Sequence, residues 1–352
     1  MNGAPGFSFL SLGQDTSVRA ALVILAACLV AGCGAARNGA GGVPSSADPG
    51  VIVFGGVVVP VPEPPGQSTP WHQPISYYAL GPDGTGLRKL AFTSRDHELD
   101  FSPGGGFAVL SRYGEDNRIV VSRADGSDSR VVPLPKDATA GAPAVSADGK
   151  TVALAYAPNL DASPIDLWTV SVDGSHLKRL ATTGDVLSIA WSPDGKHIAF
   201  VDGSQLENSS SGAVADIYVV DADGSNLHRL ARGFTGLGRE VAWSPDGARI
   251  AFQDTSQRVA VIDAEGGMPK VVSQEGETPA WSPDGTRIAF LSVTGCGSYG
   301  ACTRSRIVLA NVDGGTEHIV GPKYGNPVSL SWTTATFQPS PAGSKIGSPP
   351  SS

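Results

Sequence analysis

Apolar and polar positions alternate along this chain in short blocks, and three of the blocks are nearly identical. Each has the form Trp-Ser-Pro-Asp-Gly-x-x-Ile-Ala-Phe, and the copies are Trp191–Phe200, Trp243–Phe252 and Trp281–Phe290. In the polar centre, Pro restricts φ, Asp bonds back to the backbone and Gly adopts a positive φ, so a tight turn is expected. The chain then returns through alternating apolar residues, which is typical of a β-strand. Each copy therefore predicts a β-hairpin.

Weaker copies of the hairpin pattern occur elsewhere. Phe101–Leu110 lacks the Asp, Val145–Leu154 lacks the Trp and the Pro, and Ser329–Trp332 ends before its turn. We call the residue that precedes each turn the anchor; the anchors are residues 101, 145, 191, 243, 281 and 332. A supersecondary unit that recurs every 38 to 52 residues is typical of a repeat architecture.

A second series of turns lies between these hairpins. Its members each separate two short apolar runs, and they are Asp83-Gly84, Asp125-Gly126, Asp173-Gly174, Asp223-Gly224, Glu265-Gly266 and Asp313-Gly314. One repeat therefore contains four strands, which we name A to D from the anchor strand outward. Six such repeats predict an all-β fold, a six-bladed β-propeller of four-stranded antiparallel blades.

The two ends of the repeat region predict how the ring closes. Ser76–Leu80 and Leu87–Phe92 are expected to be strands C and D of the first blade, which has no strand A of its own. Residues 51–55 resemble the Ile-Ala-Phe strand, and Pro327–Trp332 is a strand A with no strand B after it. We therefore predict that these N- and C-terminal strands pair and leave no open sheet edge at the seam. The alternative is that residues 51–59 form an apolar linker.

Residues 1–32 have the features of an export signal. An apolar core follows Arg19 and is too short to span a membrane. The sequence Leu29-Val-Ala-Gly-Cys33 resembles the bacterial lipobox, which implies that Cys33 is lipidated and becomes the first mature residue. Acyl chains on Cys33 would anchor the protein on the extracytoplasmic side of a membrane. In a host with two membranes, Gly34 favours the outer one by analogy. The alternative is an ordinary secretory signal with a chance cysteine.

The other segments complete the predicted domain organisation. Residues 33–50 are rich in Gly, Ala, Ser and Pro and are expected to be a flexible tether. Residues 51–337 are expected to form the propeller. Residues 338–352 are of low complexity and are expected to be a disordered tail.

The cysteines are consistent with export. Of the four, Cys28 lies in the signal and Cys33 at the lipid site, which leaves Cys296 and Cys302 with five residues between them. In an oxidising compartment we expect these two to form a local disulfide. A metal pair is the alternative, but no further Cys or His follows nearby, so we predict neither a metal nor a cofactor.

Charge and motifs exclude some function classes. The net charge is −8 and no basic stripe is present, which argues against nucleic acid as a partner. No serine has the Gly-x-Ser-x-Gly surroundings of a hydrolase nucleophile. We therefore expect no catalytic residues of that kind.

The alternation of the Trp-Ser-Pro-Asp-Gly hairpins with Val-x-x-Asp-Gly-x-x-x-x-Leu, over about residues 50–335, resembles the repeat of TolB-type propellers. The resemblance implies the six-bladed fold. Relatives include periplasmic TolB, which docks onto a peptidoglycan-associated lipoprotein, and propellers fused to prolyl-oligopeptidase-type hydrolases. TolB carries an α/β domain before its propeller, whereas the expectation here is a tether.

Strand alternation predicts two different faces of the ring. The A–B and C–D turns are short and share one face, so the longer connections share the other. These connections are residues 112–117, 136–141, 157–165, 202–215, 232–239 and 292–305. Variable loops on a rigid scaffold are common binding sites.

Residues just before the A strands are expected to surround the channel mouth on that second face. They are Asp96, His97, Glu98, Asp185, Arg239, Glu240, Glu277, Tyr324 and Asn326. A mainly acidic rim suits a protein segment or a cation. The alternative is a solvated polar rim that has no partner.

Two classes of function remain open. The first is a monomeric, non-catalytic envelope lipoprotein whose propeller binds an envelope protein or peptide. The second is an enzyme or ligand sensor of the lactonase or glycan-processing kind, which would need convergent carboxylates or histidines around a metal at the channel mouth. His97 and the neighbouring acids are its only candidates.

Overall fold

A computed structural model gives the architecture. It describes residues 50–57, 76–92, 96–112, 118–159, 165–203, 215–234, 241–296, 302–321, 326–335 and 337. Over these ranges the chain forms 24 β-strands and no helix, which confirms the all-β prediction. Accordingly, none of the described segments is a helix long and apolar enough to cross a membrane.

The strands follow one another in short antiparallel steps. The first twelve are β1 Val51–Val57, β2 Ser76–Leu80, β3 Arg88–Lys89, β4 Asp96–Phe101, β5 Phe107–Arg112, β6 Arg118–Arg123, β7 Arg130–Val131, β8 Thr139–Val145, β9 Thr151–Ala157, β10 Asp166–Ser171, β11 Lys178–Ala181 and β12 Val186–Trp191. The last twelve are β13 His197–Asp202, β14 Ala215–Asp221, β15 His228–Phe234, β16 Ala242–Trp243, β17 Arg249–Gln253, β18 Val259–Asp263, β19 Lys270–Ser273, β20 Glu277–Trp281, β21 Arg287–Cys296, β22 Cys302–Asn311, β23 His318–Val320 and β24 Asn326–Thr333.

These strands form six four-stranded sheets, and each sheet is one blade of a propeller. Blades 2 to 6 use consecutive strands, from β4–β7 to β20–β23. Blade 1 has the order β24-β1-β2-β3, so its innermost strand comes from the other end of the described chain. Ile52 of β1 lies opposite Trp332 of β24 in the antiparallel register. The predicted closure by N- and C-terminal strands is therefore confirmed, and the linker alternative is wrong for Val51–Val57.

The apolar core lies between the blades. Six clusters of buried residues are present among the described residues, and each combines residues of two neighbouring blades. In β13, Ile198 and Phe200 pack toward blade 3, whereas Ala199 and Val201 pack toward blade 5. Successive side chains of a strand point to opposite sheet faces, and both faces of each blade are covered. This explains why the strands are apolar at every position and not at every second one.

The repeated hairpin turn is held by its own side chains. In blade 4, Ser192 Oγ donates to Asp194 Oδ1 at 2.7 Å, and the Lys196 backbone N–H donates to the same oxygen at 3.0 Å. The His197 N–H donates to Ser192 Oγ at 2.9 Å. Gly195 adopts a φ of 70°, as the turn requires. The Ser-Pro-Asp-Gly sequence is therefore a structural turn.

Two predicted boundaries are wrong. Strand D of blade 1 was expected over Leu87–Phe92, but β3 contains only Arg88–Lys89, because this outer strand has a single neighbour to pair with. Residues 292–305 were expected to be an irregular connection. Most of them are strand, since β21 continues to Cys296 and β22 begins at Cys302. Val293, Thr294 and Thr303 lie in these segments, and such β-branched residues are enriched in strands.

Candidate functional site

The two faces of the ring differ as the alternation of strands predicts. On one face the A–B turns of blades 3 to 6 are six-residue loops closed by Ser and Asp side chains, the A–B turn of blade 2 is closed by Ser102 without an Asp, and each C–D turn contains Asp or Glu before Gly. The connections from B to C and from D to the next A lie on the opposite face, which we call the loop face. The A strands are innermost in each blade, so their first residues lie where the loop face meets the central channel.

Residues at equivalent positions of the A strands are mostly small. The residue before each anchor is Asp100, Ala144, Ala190, Ala242, Ala280 and Ser331 in blades 2, 3, 4, 5, 6 and 1. Small side chains allow six strands to approach the axis. Blade 2 departs from this pattern, because it has a carboxylic acid where the others have a methyl group or a hydroxymethyl group.

The carboxyl group of Asp100 is an unusual one. The residue is half-buried, and burial raises its pKa to about 7, while the backbone N–H of Phe101 opposes this shift to a smaller extent. A neutral carboxylic acid can donate a hydrogen bond, and a charged one would attract a cation. The Asp100 side chain can therefore change its charge near neutral pH.

Glu98 connects two blades at the loop face. Its Oε2 accepts a hydrogen bond from Ser111 Oγ at 2.6 Å and one from the Ala142 backbone N–H of blade 3 at 3.0 Å. The residue is exposed and has a φ of 50°, within an irregularity of the β4–β5 register between His97 and Asp100. The left-handed backbone turns Glu98 toward the neighbouring blade. It therefore both supports the scaffold and presents a carboxylate at the rim.

Glu277 contributes a second carboxyl group, from blade 6. It is the first residue of β20 and is half-buried, and burial raises its pKa to about 7. Thr278 follows with a φ of 51° in a register irregularity like that of β4, and its hydroxyl is buried without a hydrogen-bond partner among the described residues. Left-handed backbone at a non-glycine residue is strained and is often found near functional sites.

Asp185 lies immediately before β12. Its backbone carbonyl accepts a hydrogen bond from the Gly203 N–H at 2.8 Å, and the residue forms a parallel bridge with Ile165. These contacts join the D–A connection to the end of the B–C connection of blade 3 and to the start of the B–C connection of blade 4. Asp185 therefore lies at the loop face.

The other predicted rim residues are only partly described. Asp96, His97 and Asn326 lie in the first positions of β4 and β24, but their side chains are outside the described part of the structure. Arg239, Glu240 and Tyr324 lie outside the described residues altogether. The structure thus brings Glu98, Asp185 and Glu277 to the inner ends of three blades. Sequence reasoning missed Asp100, although an acid at a position that is otherwise Ala or Ser was a visible signal.

Two further predictions concern metal ligands and cysteines. Within the described ranges, no three His, Cys, Asp or Glu side chains are close enough to hold a metal ion. Cys296 of β21 and Cys302 of β22 lie opposite each other in the backbone register. Their side chains, like the lipid site Cys33, fall outside the described part of the chain.

Comparison with known proteins identifies similar folds. Residues 100–292 match the family model of the TolB beta propeller domain. TolB from Acinetobacter baumannii superposes with a TM-score of 0.60 at 17% identity, over 81% of this chain and 66% of that one. A chain of a nidogen/laminin complex gives 0.58 at 13% identity, over 81% and 98%. A TolB-type protein from Agrobacterium tumefaciens gives 0.53 at 17% identity, over 81% and 99%.

The chain thus spans slightly less than two thirds of the A. baumannii protein. No curated protein sequence matches it. At identities below a fifth, the structural likenesses concern the fold alone.

Proposed function

Because the chain belongs to the TolB β-propeller domain family, we propose that it is a non-catalytic scaffold whose loop face binds a protein or peptide segment. One observation carries this proposal. The six A strands contain the carboxylates Asp96, Glu98, Asp100 and Glu277, and none of the six contains a Lys or an Arg. A mainly acidic rim around a central channel suits an extended or basic segment of a partner, because complementary charge favours encounter and register.

Site-specific cross-linking in intact cells tests the binding face. A photoreactive residue in place of Glu98 or Glu277 should cross-link a protein partner. The matched controls replace Lys196 or Thr286, which lie in exposed A–B turns on the opposite face. Cross-links from the control positions alone would contradict the proposal.

We further propose that the protein is a lipid-anchored component of the bacterial cell envelope, with residues 1–32 removed, Cys33 acylated and residues 33–50 acting as a tether. The lipobox resemblance and the family support this proposal. Cys33→Ser should move the protein from the membrane fraction to the soluble fraction after cell lysis. Retention of the variant in the membrane would contradict lipid anchoring and leave the binding face untouched.

We also propose a disulfide between Cys296 and Cys302. Directly opposed residues of an antiparallel pair have Cα atoms about 4.5 to 5.5 Å apart, within the range that a disulfide spans. In protein isolated without reductant, an alkylating reagent should modify neither cysteine, and both should react after reduction. Alkylation of both before reduction would contradict the disulfide.

The remaining alternative is a propeller enzyme with its site at the channel mouth. Metal analysis of the purified full chain separates the two functions. A stoichiometric divalent metal that is lost in Glu98→Gln or Asp100→Asn would favour the enzyme.

A further inference from the structure

A cleft between blades 5 and 6 opens on the face of the short turns, opposite the loop face. Arg249 begins β17, Asp263 ends β18 and Val312 follows β22, so the cleft lies beside short turns of both blades. Its volume is about 250 Å³, and drug-sized ligands occupy pockets of roughly 300 to 1,000 Å³, so it suits a smaller molecule. The residues that line it are Arg249, Val261, Asp263, Met268, Lys270 and Val312.

The equivalent residues of blade 4 form a closed hydrogen-bond network. Asp221 Oδ2 accepts from Asn226 Nδ2 at 2.6 Å and from Ser225 Oγ at 3.1 Å. Asp221 Oδ1 lies 2.9 Å from Nδ1 of His197, its neighbour across β13 and β14. Asn226 reaches back to the aspartate from a left-handed backbone with a φ of 54°. Both carboxylate oxygens of Asp221 therefore have partners within the blade.

Blade 5 has the corresponding register but lacks these partners. Arg249 lies opposite Asp263 across β17 and β18. Gly267 and Met268 occupy the positions of the serine and the asparagine in the C–D turn. Gly267 has a φ of 124°, and the Met268 side chain after it is 95% exposed. Among the described residues, the Asp263 carboxylate accepts no hydrogen bond and forms no ion pair, and it lines the cleft.

The two cations of the cleft differ in their partners. Lys270 Nζ already pairs with Asp313 Oδ1 at 3.2 Å. The guanidinium of Arg249 lies 4.9 Å from the centre of the Trp281 indole, and none of the described carboxylates is within ion-pair distance of it. Stacking on the indole uses the face of the guanidinium and leaves the N–H groups at its edge for an anion. Arg249 is therefore the cation available to a ligand.

The rest of the lining is apolar. Val261 and Val312 are buried members of the core cluster between blades 5 and 6, and they form the inner part of the cleft. Met268 forms its exposed wall, and a thioether side chain adapts readily to the shape of an apolar group. The cleft thus combines one cation, one anion and an apolar surface.

We propose that this cleft binds a free α-amino acid with an apolar side chain. The ligand carboxylate pairs with Arg249, and the ligand ammonium pairs with Asp263. The ligand side chain packs against Val261, Val312 and Met268. The site lies on the face opposite the proposed partner-binding face, so the inference goes beyond the proposed function.

Titration of the full chain with L-leucine tests the site. The chain has two methionines, Met1 and Met268, so protein labelled with ¹³C at the methionine methyl groups gives at most two signals, and Met268→Leu identifies the relevant one. L-leucine should shift the Met268 signal in a saturable way, with a dissociation constant on the order of 1 mM or lower. No shift at roughly ten times that concentration would overturn the proposal.

Three analogues each remove one of the proposed contacts. L-leucinamide lacks the carboxylate, N-acetyl-L-leucine lacks the ammonium, and glycine lacks the apolar side chain. Each should bind at least about tenfold more weakly than L-leucine. The amide resembles the N-terminal residue of a peptide, and the acetylated form resembles the C-terminal one. Equal binding of either would overturn a free amino acid as the ligand, and equal binding of glycine would overturn the apolar contact.

Matched variants locate the two charged contacts. Arg249→Gln and Asp263→Asn should each weaken L-leucine binding by about tenfold or more, because each leaves one charge of the ligand without a partner. The controls are Arg130→Gln and Asp137→Asn, which make the same charge changes at exposed positions of blade 2 and its following connection. Equal losses in the controls would overturn the assignment to the cleft. Asp263 is exposed, so Asp263→Asn should keep the melting temperature of the parent and tests the site even if Arg249→Gln unfolds.

Discussion

The contact between blades 5 and 6 and the contact between blade 6 and blade 1 have similar packing but different chain connectivity. Blades 5 and 6 use consecutive strands, whereas strands A and B of blade 1, which form the seam, are β24 and β1. In blade 6, Trp281 Nε1 donates to the Ala242 carbonyl of blade 5 at 3.0 Å, and the guanidinium of Arg249 lies 4.9 Å from the centre of the indole. At the seam, Arg287 lies 5.4 Å from Trp332 in the same way. The Trp332 nitrogen, however, is buried with no acceptor among the described residues.

The turns show the same correspondence. Gly285 of the blade 6 turn lies against Pro245 of the preceding turn. Blade 1 has no such turn, because its A and B strands come from opposite ends of the described chain. Gly50 takes that place: a Cβ added there would lie 2.7 Å from Pro283 Cγ, and its φ is 117°. Gly50 thus packs against the preceding turn as the glycine of a hairpin turn does, although no such turn links it to β24.

The other side of the seam is closed by the residues after β24. Thr334 Oγ1 donates to the Gly104 carbonyl at 2.9 Å, and Phe337 is buried against Phe101 with ring centres 5.9 Å apart. Arg88 lies 5.6 Å above the Phe337 ring. This arrangement of an aromatic ring beneath a guanidinium matches the Arg249–Trp281 pair between blades 5 and 6. The seam therefore has the aromatic–guanidinium contact of that blade pair, although its strands have a different connectivity.

The largest expected effect is that of removing β1. Deletion of residues 1–60 leaves β2 and β24 without the strand between them, so cooperative unfolding should be lost or the protein should oligomerise through the open edges. The control deletes residues 1–49 and should keep the melting temperature of the full chain. Thermal unfolding and light scattering measure both. An unchanged transition in the longer deletion would contradict the role of β1.

Loss of the Phe337 ring should weaken the seam by about 3 kcal/mol, as expected when a buried Phe is replaced by Ala. Phe337→Ala is measured by chemical unfolding of the full chain. The control is deletion of residues 338–352, which contribute none of the contacts described around Phe337. If the point variant cost no more than the deletion, the seam would not depend on this ring.

Asp100 should make the stability of blade 2 depend on pH, unlike that of the blades that have Ala at this position. Its pKa of about 7 in the folded protein exceeds the ordinary value of 3.8, so the unfolded chain loses the proton first as pH rises. Stability from this group is therefore complete below about pH 4 and is lost as pH rises through 7. Asp100→Asn should have little effect at pH 4 and should stabilise the protein at pH 8, by at most about 4 kcal/mol.

The measurement is chemical unfolding at both pH values. Asp137→Asn, at an exposed position, is the control and should show no such pH-dependent gain. A stabilisation equal at pH 4 and pH 8 would contradict the assigned pKa.

The smallest expected effect is a difference in stability between Trp281→Phe and Trp332→Phe. Trp281→Phe removes a partly buried hydrogen bond to the Ala242 carbonyl, whereas Trp332→Phe removes a donor that has no described acceptor. Both variants lose similar apolar volume, so the difference between them should be about 1 kcal/mol. Unfolding in urea measures it. Equal losses would show that the indole bond is not what distinguishes the blades from the seam.

Much of the fold could be predicted because each repeat contains its own turn residues and apolar strand pattern. Trp281, the Ser282–Gly285 turn and the following Ile-Ala-Phe strand specify one hairpin, and six copies specify a ring. The partnership of Val51–Val57 with Asn326–Thr333 was also predictable, since each end carried a strand without its hairpin partner. By contrast, Phe337 has no repeat context, and its packing on Phe101 depends on where the ring brings the chain ends together.

The candidate site was less predictable than the fold. Strand alternation determines the face of each connection, so the position of Glu98, Asp185 and Glu277 along the chain could be assigned to the loop face, but their role at a binding rim stays a prediction. The hydrogen bond from the Ala142 N–H to Glu98 and the raised pKa of Asp100 could not be predicted from the sequence. The hydrogen bond depends on a neighbouring blade, and the raised pKa depends on burial in the assembled ring.

The strands, the turns and the number of blades could be predicted from the sequence, because they follow from hydrogen bonds and apolar periodicity within about fifty residues. The tertiary structure was needed to show that the carboxyl groups of Asp100 and Glu277 are shielded from water. Burial and edge pairing arise when blades far apart in the sequence are brought side by side, so no local pattern encodes them. The repeated Trp-Ser-Pro-Asp-Gly turns therefore build the ring, and Asp100 and Gly50 are positions at which the chain departs from the repeat.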